Sequence, residues 1–168
     1  SYIGLLPKQS NPTLLSKVLK ALCEESLNFK KDLQLNFIGD ISEAEKVVIE
    51  ENKLLQNTNF VGYVSHRKDI EYQNTAPVLL LLIPNVKNNK GILTGKLFEY
   101  LKAKRPILAI GPEKGDLATI LQETNSGVIV NFDAEEKLKL EIEALYQKYK
   151  EDKLTVNFNN IEKYHRKE

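Results

Sequence analysis

Apolar positions along this chain follow two different periods, and each change of period marks a change of element. Tyr2-Ile-Gly-Leu-Leu6 is a short apolar strand, and Leu33-Gln-Leu-Asn-Phe-Ile38 alternates before a turn at Gly39-Asp40. Phe60-Val-Gly-Tyr-Val64 reads as a third strand. Val78-Leu-Leu-Leu-Leu-Ile83 is an unbroken apolar run, as expected of a parallel strand buried on both faces. Pro106-Ile-Leu-Ala-Ile110 and Gly127-Val-Ile-Val-Asn-Phe132 supply two more strands.

Between these runs the apolar spacing is helical. Leu14, Leu15, Val18, Leu19, Leu22 and Cys23 form one stripe, opened by Asn11-Pro12 as capping residue and first-turn proline. Ser42 with Glu45 predicts a capping box before Val47, Val48, Leu54 and Leu55, and Asp133 with Glu136 a second one before a helix to Lys150. Ser65 caps a short helix to Asn74, and further helices cover Lys96 to Ala103 and Asp116 to Glu123. A last short helix is expected near Asn160–Lys167. Strand and helix thus alternate about six times, which predicts a doubly wound, mostly parallel, Rossmann-like α/β sheet with helices on both faces.

Composition narrows the function classes. The 168 residues are one domain by length, 42% hydrophobic and 28% charged, with a formal net charge of +1. That charge gives no reason to expect nucleic acid or an anionic membrane as partner. No apolar run is long enough for a transmembrane segment. The single Cys23 extends the apolar stripe of its helix and fits a reducing, cytoplasmic setting. The chain contains no methionine and opens almost directly on a strand, so it reads as a domain of a longer protein.

Several catalytic signatures are missing. Neither a Gly-x-x-x-x-Gly-Lys phosphate loop nor a Gly-x-Gly-x-x-Gly after the first strand is present, and no Gly-x-Ser-x-Gly elbow or cysteine–histidine cluster occurs. The two histidines, His66 and His165, are too few for a zinc site without carboxylate help. No metal and no cofactor are expected, and no self-contained catalytic set is visible. What remains is the carboxyl edge of the sheet, where α/β proteins bind ligands. Lys8 and Gln9 follow the first strand, Gly39 and Asp40 the second, Ser65 and His66 the third, and Thr94, Gly95 and Lys96 the fourth. Backbone amides of residues 95–97 at a helix start can hold a phosphate, and Lys8 can neutralise it. Glu99, a turn further on, can accept from two ribose hydroxyls. Each also has a plainer reading, as solvated loop and helix residues; the Lys102, Lys104, Arg105 cluster is read as a solvated helix end.

The segment Gly95-Lys-Leu-Phe-Glu-Tyr-Leu-Lys-Ala-Lys-Arg-Pro-Ile-Leu-Ala-Ile110 resembles the nucleotide-binding segment of retaining GT-B glycosyltransferases. Phe37-Ile-Gly-Asp40, Asn59-Phe-Val-Gly-Tyr-Val-Ser-His66, Ala76-Pro-Val-Leu-Leu-Leu-Leu-Ile83 and Asn125-Ser-Gly-Val-Ile-Val130 resemble other strands of that domain, in order. The resemblance implies the C-terminal half of a GT-B fold, with residues 1–153 as the nucleotide-sugar domain. Residues 154–168 would be a polar tail leading back to an N-terminal domain. It implies transfer of a sugar from a nucleoside-diphosphate sugar, without a metal, to a glycan, lipid-linked or small-molecule acceptor bound by that other domain. Glu99 would hold the ribose; Thr94, Gly95, Lys96 and Leu97 would present amides to the diphosphate, joined by Lys8 and by Gln9 where an arginine is often found. Gly39, Ser65 and His66 would lie near the base. Gly91, near the donor sugar, stands where the family often has a second glutamate, and Lys104 stands where it commonly has a glycine. The rest of the protein could bring the domain to the inner face of a membrane. The alternative is a non-catalytic nucleotide- or phosphate-binding module, or a protein-interaction module, on the same fold.

Overall fold

Every side chain of the run Leu79–Leu82 is buried, Leu79 and Leu81 toward one face of a sheet, Leu80 and Leu82 toward the other. Side chains of a strand alternate, so such a run must be covered on both sides. In the computed structural model, which describes residues 1–10 and 12–164, it is the fourth of six strands. These are β1 (Tyr2–Ile3), β2 (Leu35–Ile38), β3 (Thr58–Gly62), β4 (Leu79–Leu82), β5 (Ile107–Ile110) and β6 (Gly127–Val130). Seven α-helices connect and follow them: α1 (Thr13–Glu25), α2 (Leu27–Asp32), α3 (Glu43–Glu51), α4 (His66–Thr75), α5 (Gly95–Ala103), α6 (Asp116–Thr124) and α7 (Glu135–Lys150).

The strands pair in parallel as β1-β2-β3 and β4-β5-β6. Ser1 joins the two sets: its nitrogen donates to the Val78 carbonyl at 2.8 Å and its carbonyl accepts from the Leu80 N–H at 2.8 Å. The spatial order is therefore 3-2-1-4-5-6, with a switch point between β1 and β4. One apolar core lies between the sheet and α1, α2, α3 and α7, with Tyr2, Phe37, Leu80, Leu108 and Val130 from the strands. The other lies against α4, α5 and α6, with Ile3, Ile38, Leu81, Ala109 and Ile83. The doubly wound Rossmann-like expectation is met, strand for strand.

Helix ends differ from expectation in detail. Helix α2 has no counterpart in the apolar pattern; Ser26 starts it by accepting from the Phe29 N–H at 3.2 Å. Ser42 stands at the N-cap of α3, yet its hydroxyl bonds the Glu45 carboxylate and not the backbone. The second box does not form, because α7 begins at Glu135 behind Ala134 and Asp133 lies outside it. Pro12 is the N-cap of α1; Asn11 lies outside the described residues, as do His165 and the end of the expected last helix. The segment after α7 returns across α6 and α5. The Asn159 N–H donates to the Thr124 carbonyl at 2.9 Å, and Phe158 and Ile161 join the second core.

Candidate functional site

The carboxyl ends of β1, β2 and β3 each carry a glycine with positive φ: Gly4 at 100°, Gly39 at 118° and Gly62 at 76°. They are packed together. The Gly4 N–H donates to the Ile38 carbonyl at 2.6 Å, and the Gly39 N–H to the Gly62 carbonyl at 2.8 Å. A Cβ on Gly39 would stand 2.6 Å from the Gly4 carbonyl oxygen, so only glycine fits there. The result is a sheet edge of bare backbone beside the switch point.

The ladder between β1 and β4 stops at Ser1. One step on, the Ile3 N–H donates to the Tyr100 hydroxyl at 3.2 Å in place of a β4 carbonyl, so the backbone pairing of the two strands ends there. Tyr100 is fully buried, and that burial raises its phenol above the usual tyrosine range.

Helix α5 starts near the end of β1, which its Lys96 side chain reaches. Its N-cap is Thr94, whose side chain makes no capping bond and whose Oγ1 is buried without a partner among the described residues. The Leu97 N–H already donates to the Thr94 carbonyl at 3.1 Å. The amides of Gly95 and Lys96 lie in the first turn, where a helix offers no internal acceptor. Nothing lies within 4 Å of a Cβ built on Gly95, so the side-chain position of that residue is open.

The Lys96 side chain does not extend into solvent. It runs across the sheet edge over Gly4, where a Cβ would come 2.7 Å from its Cε. Its Nζ donates to the Leu5 carbonyl at 2.8 Å and to the Tyr2 hydroxyl at 2.5 Å, and stands 4.2 Å above the Tyr2 ring. The Tyr2 hydroxyl donates in turn to the Leu5 carbonyl at 3.0 Å. Burial lowers the Lys96 ammonium to a pKa of about 8, with the Glu99 charge opposing.

Glu99 is exposed one turn further along α5, and its Oε2 accepts from Gln73 Nε2 at 3.0 Å. Gln73 is buried on α4, so the carboxylate is held from behind. Asp69, a turn earlier on α4, has its carboxyl raised by burial and then by the charge of Glu99, while His66 pulls it down. His66 and Ser65 are exposed at the start of α4, and Ser65 makes no side-chain cap.

Lys8 and Gln9 are exposed in the turn after β1, and the Gln9 carbonyl accepts from the Asn85 N–H at 3.1 Å. Gln9 also lines a small cavity of about 150 Å³ with Ser10, Thr13 and Asn85. Gly91 ends a short 3-10 turn, and a Cβ there would lie 3.8 Å from the Asp116 carboxylate. A larger cavity of about 430 Å³ sits at the opposite, amino-terminal edge, between Leu35, Val78 and Tyr146. It is remote from all of these groups.

Thr94, Gly95, Lys96 and Glu99 thus come together with Gly4 and Gly39 at the switch point. Gly4, Gln73, Asp69 and Tyr2 were not foreseen. The pattern of apolar positions marks Tyr2 as core and Asp69 and Gln73 as ordinary helix residues, and contact across the sheet edge leaves no local trace. Among the described residues no group of three histidine, cysteine or carboxylate side chains is placed to hold a metal ion, and no helix is long and apolar enough to cross a membrane.

No protein-family model and no curated protein sequence matches the chain. Solved structures do. WaaG, a glycosyltransferase involved in lipopolysaccharide biosynthesis, matches 90% of this chain and 39% of its own, at 15% identity and a TM-score of 0.67. AviGT4, a glycosyltransferase involved in avilamycin A biosynthesis, matches 97% and 44%, at 12% identity and a TM-score of 0.57. S. aureus TarM, crystallised as a mutant with fondaparinux, alpha-GlcNAc-glycerol and UDP, matches 90% and 31%, at 15% identity and a TM-score of 0.56. The chain spans less than half the length of each of the three and shares with them the fold of that part.

Proposed function

We propose that the chain is the donor-binding part of a glycosyltransferase that takes a sugar from a nucleoside-diphosphate sugar. The observation that carries this reading is the pairing of two features one turn apart on α5. The start of α5 presents the first-turn amides of Gly95 and Lys96 beside the buried Thr94 hydroxyl, which has no partner among the described residues, and Glu99 is held in place by Gln73. A diphosphate on the helix start would leave the adjoining ribose within reach of Glu99. The fold shared with WaaG and AviGT4, and with TarM crystallised with UDP, supports the same reading.

Catalysis of sugar transfer needs a leaving group whose developing negative charge is stabilised. In this reading the helix start and a nearby lysine do so without a metal ion. The base lies toward Gly39, Ser65 and His66, and the donor sugar toward Gly91. Lys8 and Gln9 complete the diphosphate side. The acceptor, whether glycan, lipid-linked or small molecule, and the groups that activate it belong to another part of the enzyme. The chain alone is therefore expected to bind nucleotide and not to turn over.

Calorimetric titration with UDP, GDP and ADP tests this. One of them is expected to bind, and Glu99→Ala to weaken it about 30-fold, the loss of about 2 kcal/mol of charge-assisted hydrogen bonding to the ribose. Absence of binding at millimolar nucleotide, or a Glu99→Ala affinity equal to that of the native chain, would overturn it.

A further inference from the structure

We propose that the Lys96 side chain is a second cation of the diphosphate site beside Lys8, stored in the free protein across the switch point on Leu5 and Tyr2. This rests on the nucleotide-binding reading above, and extends it from the backbone of Lys96 to its ammonium group.

Position comes first. Lys96 starts on the face of the sheet covered by α5, and its Nζ ends against Tyr2, which belongs to the core on the other face. To get there the side chain passes over Gly4, at the end of β1 beside the switch point. Doubly wound sheets take their ligands at that point. The ammonium belongs to the second residue of α5, so a phosphate bound at that helix start would lie within its reach.

Partners come second. The ammonium bonds a carbonyl and a phenol hydroxyl and sits over an aromatic ring, all of them neutral. A half-buried cation without a bonded carboxylate is under-compensated, and an entering dianion supplies the missing charge. Other lysines of this chain reach carboxylates: Lys17 reaches Glu135, Lys46 Glu43 and Lys139 Glu25. Lys8, by contrast, is exposed in the turn after β1 and makes no side-chain bond among the described residues.

Proton linkage follows. Lys96 loses its proton near pH 8 in the free protein, and a bound diphosphate would hold that proton more tightly. Binding above pH 8 must then take up a proton. The titratable groups facing this corner are Tyr2 on β1, Glu99 and Tyr100 on α5, and Asp69 and His66 on α4. Burial moves both tyrosines upward, out of the window concerned. A purely structural lysine, tying the end of β1 to α5, would leave ligand affinity independent of pH.

The test is calorimetry with UDP, GDP and ADP at about pH 7 and about pH 9, an interval in which their terminal phosphate is largely dianionic and the bases stay mostly neutral, and with inorganic pyrophosphate at about pH 7 alone, because its own last proton leaves within that interval. Native nucleotide affinity is expected to fall about tenfold across this interval, with proton uptake on binding at the higher pH. Lys96→Arg is expected to keep the pH 7 affinity and lose the pH dependence, because guanidinium stays charged throughout. Lys96→Met is expected to bind at least about tenfold more weakly at pH 7 and equally at both pH values. Native-like affinity in Lys96→Met, or a pH dependence that survives in Lys96→Arg, overturns the assignment while leaving the nucleotide reading in place. Binding of pyrophosphate alone, weakened in Lys96→Met and kept in Lys96→Arg, supports Lys96 and overturns the nucleoside reading. Failure of the native chain to bind any of the four anions overturns both.

Discussion

Gln73 and Glu99 lie on neighbouring helices and are joined by one hydrogen bond, from the buried amide to the exposed carboxylate, at 3.0 Å. The bond fixes one oxygen of Glu99 and leaves the other for a ligand. Gln73→Leu removes the tether without touching any group that would meet nucleotide. Nucleoside diphosphate affinity is expected to fall about three- to tenfold, roughly 1 kcal/mol of lost positioning, while pyrophosphate affinity stays unchanged. Equal losses for both ligands would place Gln73 in the integrity of α4 and not in ribose binding.

The same corner gives a titration. Asp69 is raised first by its burial and second by the Glu99 charge. Glu99→Gln removes the second cause only, so the Asp69 carboxyl is expected to titrate lower than in the native chain but still above the ordinary aspartate value. Carbon-13 carboxyl shifts followed by NMR read this directly. The stability effect has a fixed sign. A carboxyl raised in the folded state costs stability as pH rises through the interval between its unfolded and folded values, and Glu99→Gln should shrink that cost.

Gly39→Ala is expected to be severe. The residue has φ of 118°, and its new Cβ would meet the Gly4 carbonyl at 2.6 Å, backbone that cannot move without parting β1 from β2. A loss of about 3 kcal/mol, or about 10 °C in Tm, is expected in thermal unfolding. Gly95→Ala is the control. Its φ is ordinary and its surroundings are open, so it should fold with unchanged or slightly higher Tm.

Much of this architecture is legible in the amino-acid sequence because it rests on short-range patterns. The unbroken run at β4, the alternation at β2 and the stripe Leu15, Val18, Leu19, Leu22 on α1 each state which faces are buried. Parallel pairing then follows from the connections, while the strand order comes from the structure. What is hidden depends on contacts between distant residues. Helix α2 escaped because α1 leads into it through Ser26 alone, with no glycine or proline to punctuate the join. Gly4 and Gly62 look like ordinary strand glycines until the strands meet. Lys96 looks like any solvated residue in a first turn, and only the path over Gly4 toward Tyr2 sets it apart.

Lys104 ends α5 in the left-handed conformation, φ 52° and ψ 44°, as expected if it replaces a glycine at that break. A side chain there costs about 1 kcal/mol, and Pro106 prevents the helix from continuing past it. Lys104→Gly is expected to raise stability by about 1 kcal/mol, roughly 3 °C in Tm, with no change in ligand affinity. Asn125 occupies the same conformation at the end of α6, and as an asparagine it tolerates it better. Asn125→Gly should therefore gain less, and the two variants compared in one thermal series separate backbone strain from any general effect of glycine.

The Lys96 ammonium also makes stability depend on pH. Its folded value near 8 lies below the ordinary 10.5, because burial disfavours the charged form. Between those values the unfolded chain holds more of this proton than the folded one, so raising the pH through that interval favours folding. Below pH 8 both states are protonated and the full cost of burying the charge is present. Lys96→Met has neither the cost nor the titration. In urea unfolding at about pH 7, the variant should therefore gain from removal of a buried charge and lose from the missing bonds to Leu5 and Tyr2. Raising the pH to about 10 should shift the comparison toward the native chain by about 2 kcal/mol, since its lysine then folds uncharged. A difference that stays constant between the two pH values would mean that the ammonium remains solvated in the folded chain, and its place over Gly4 would not be its resting position.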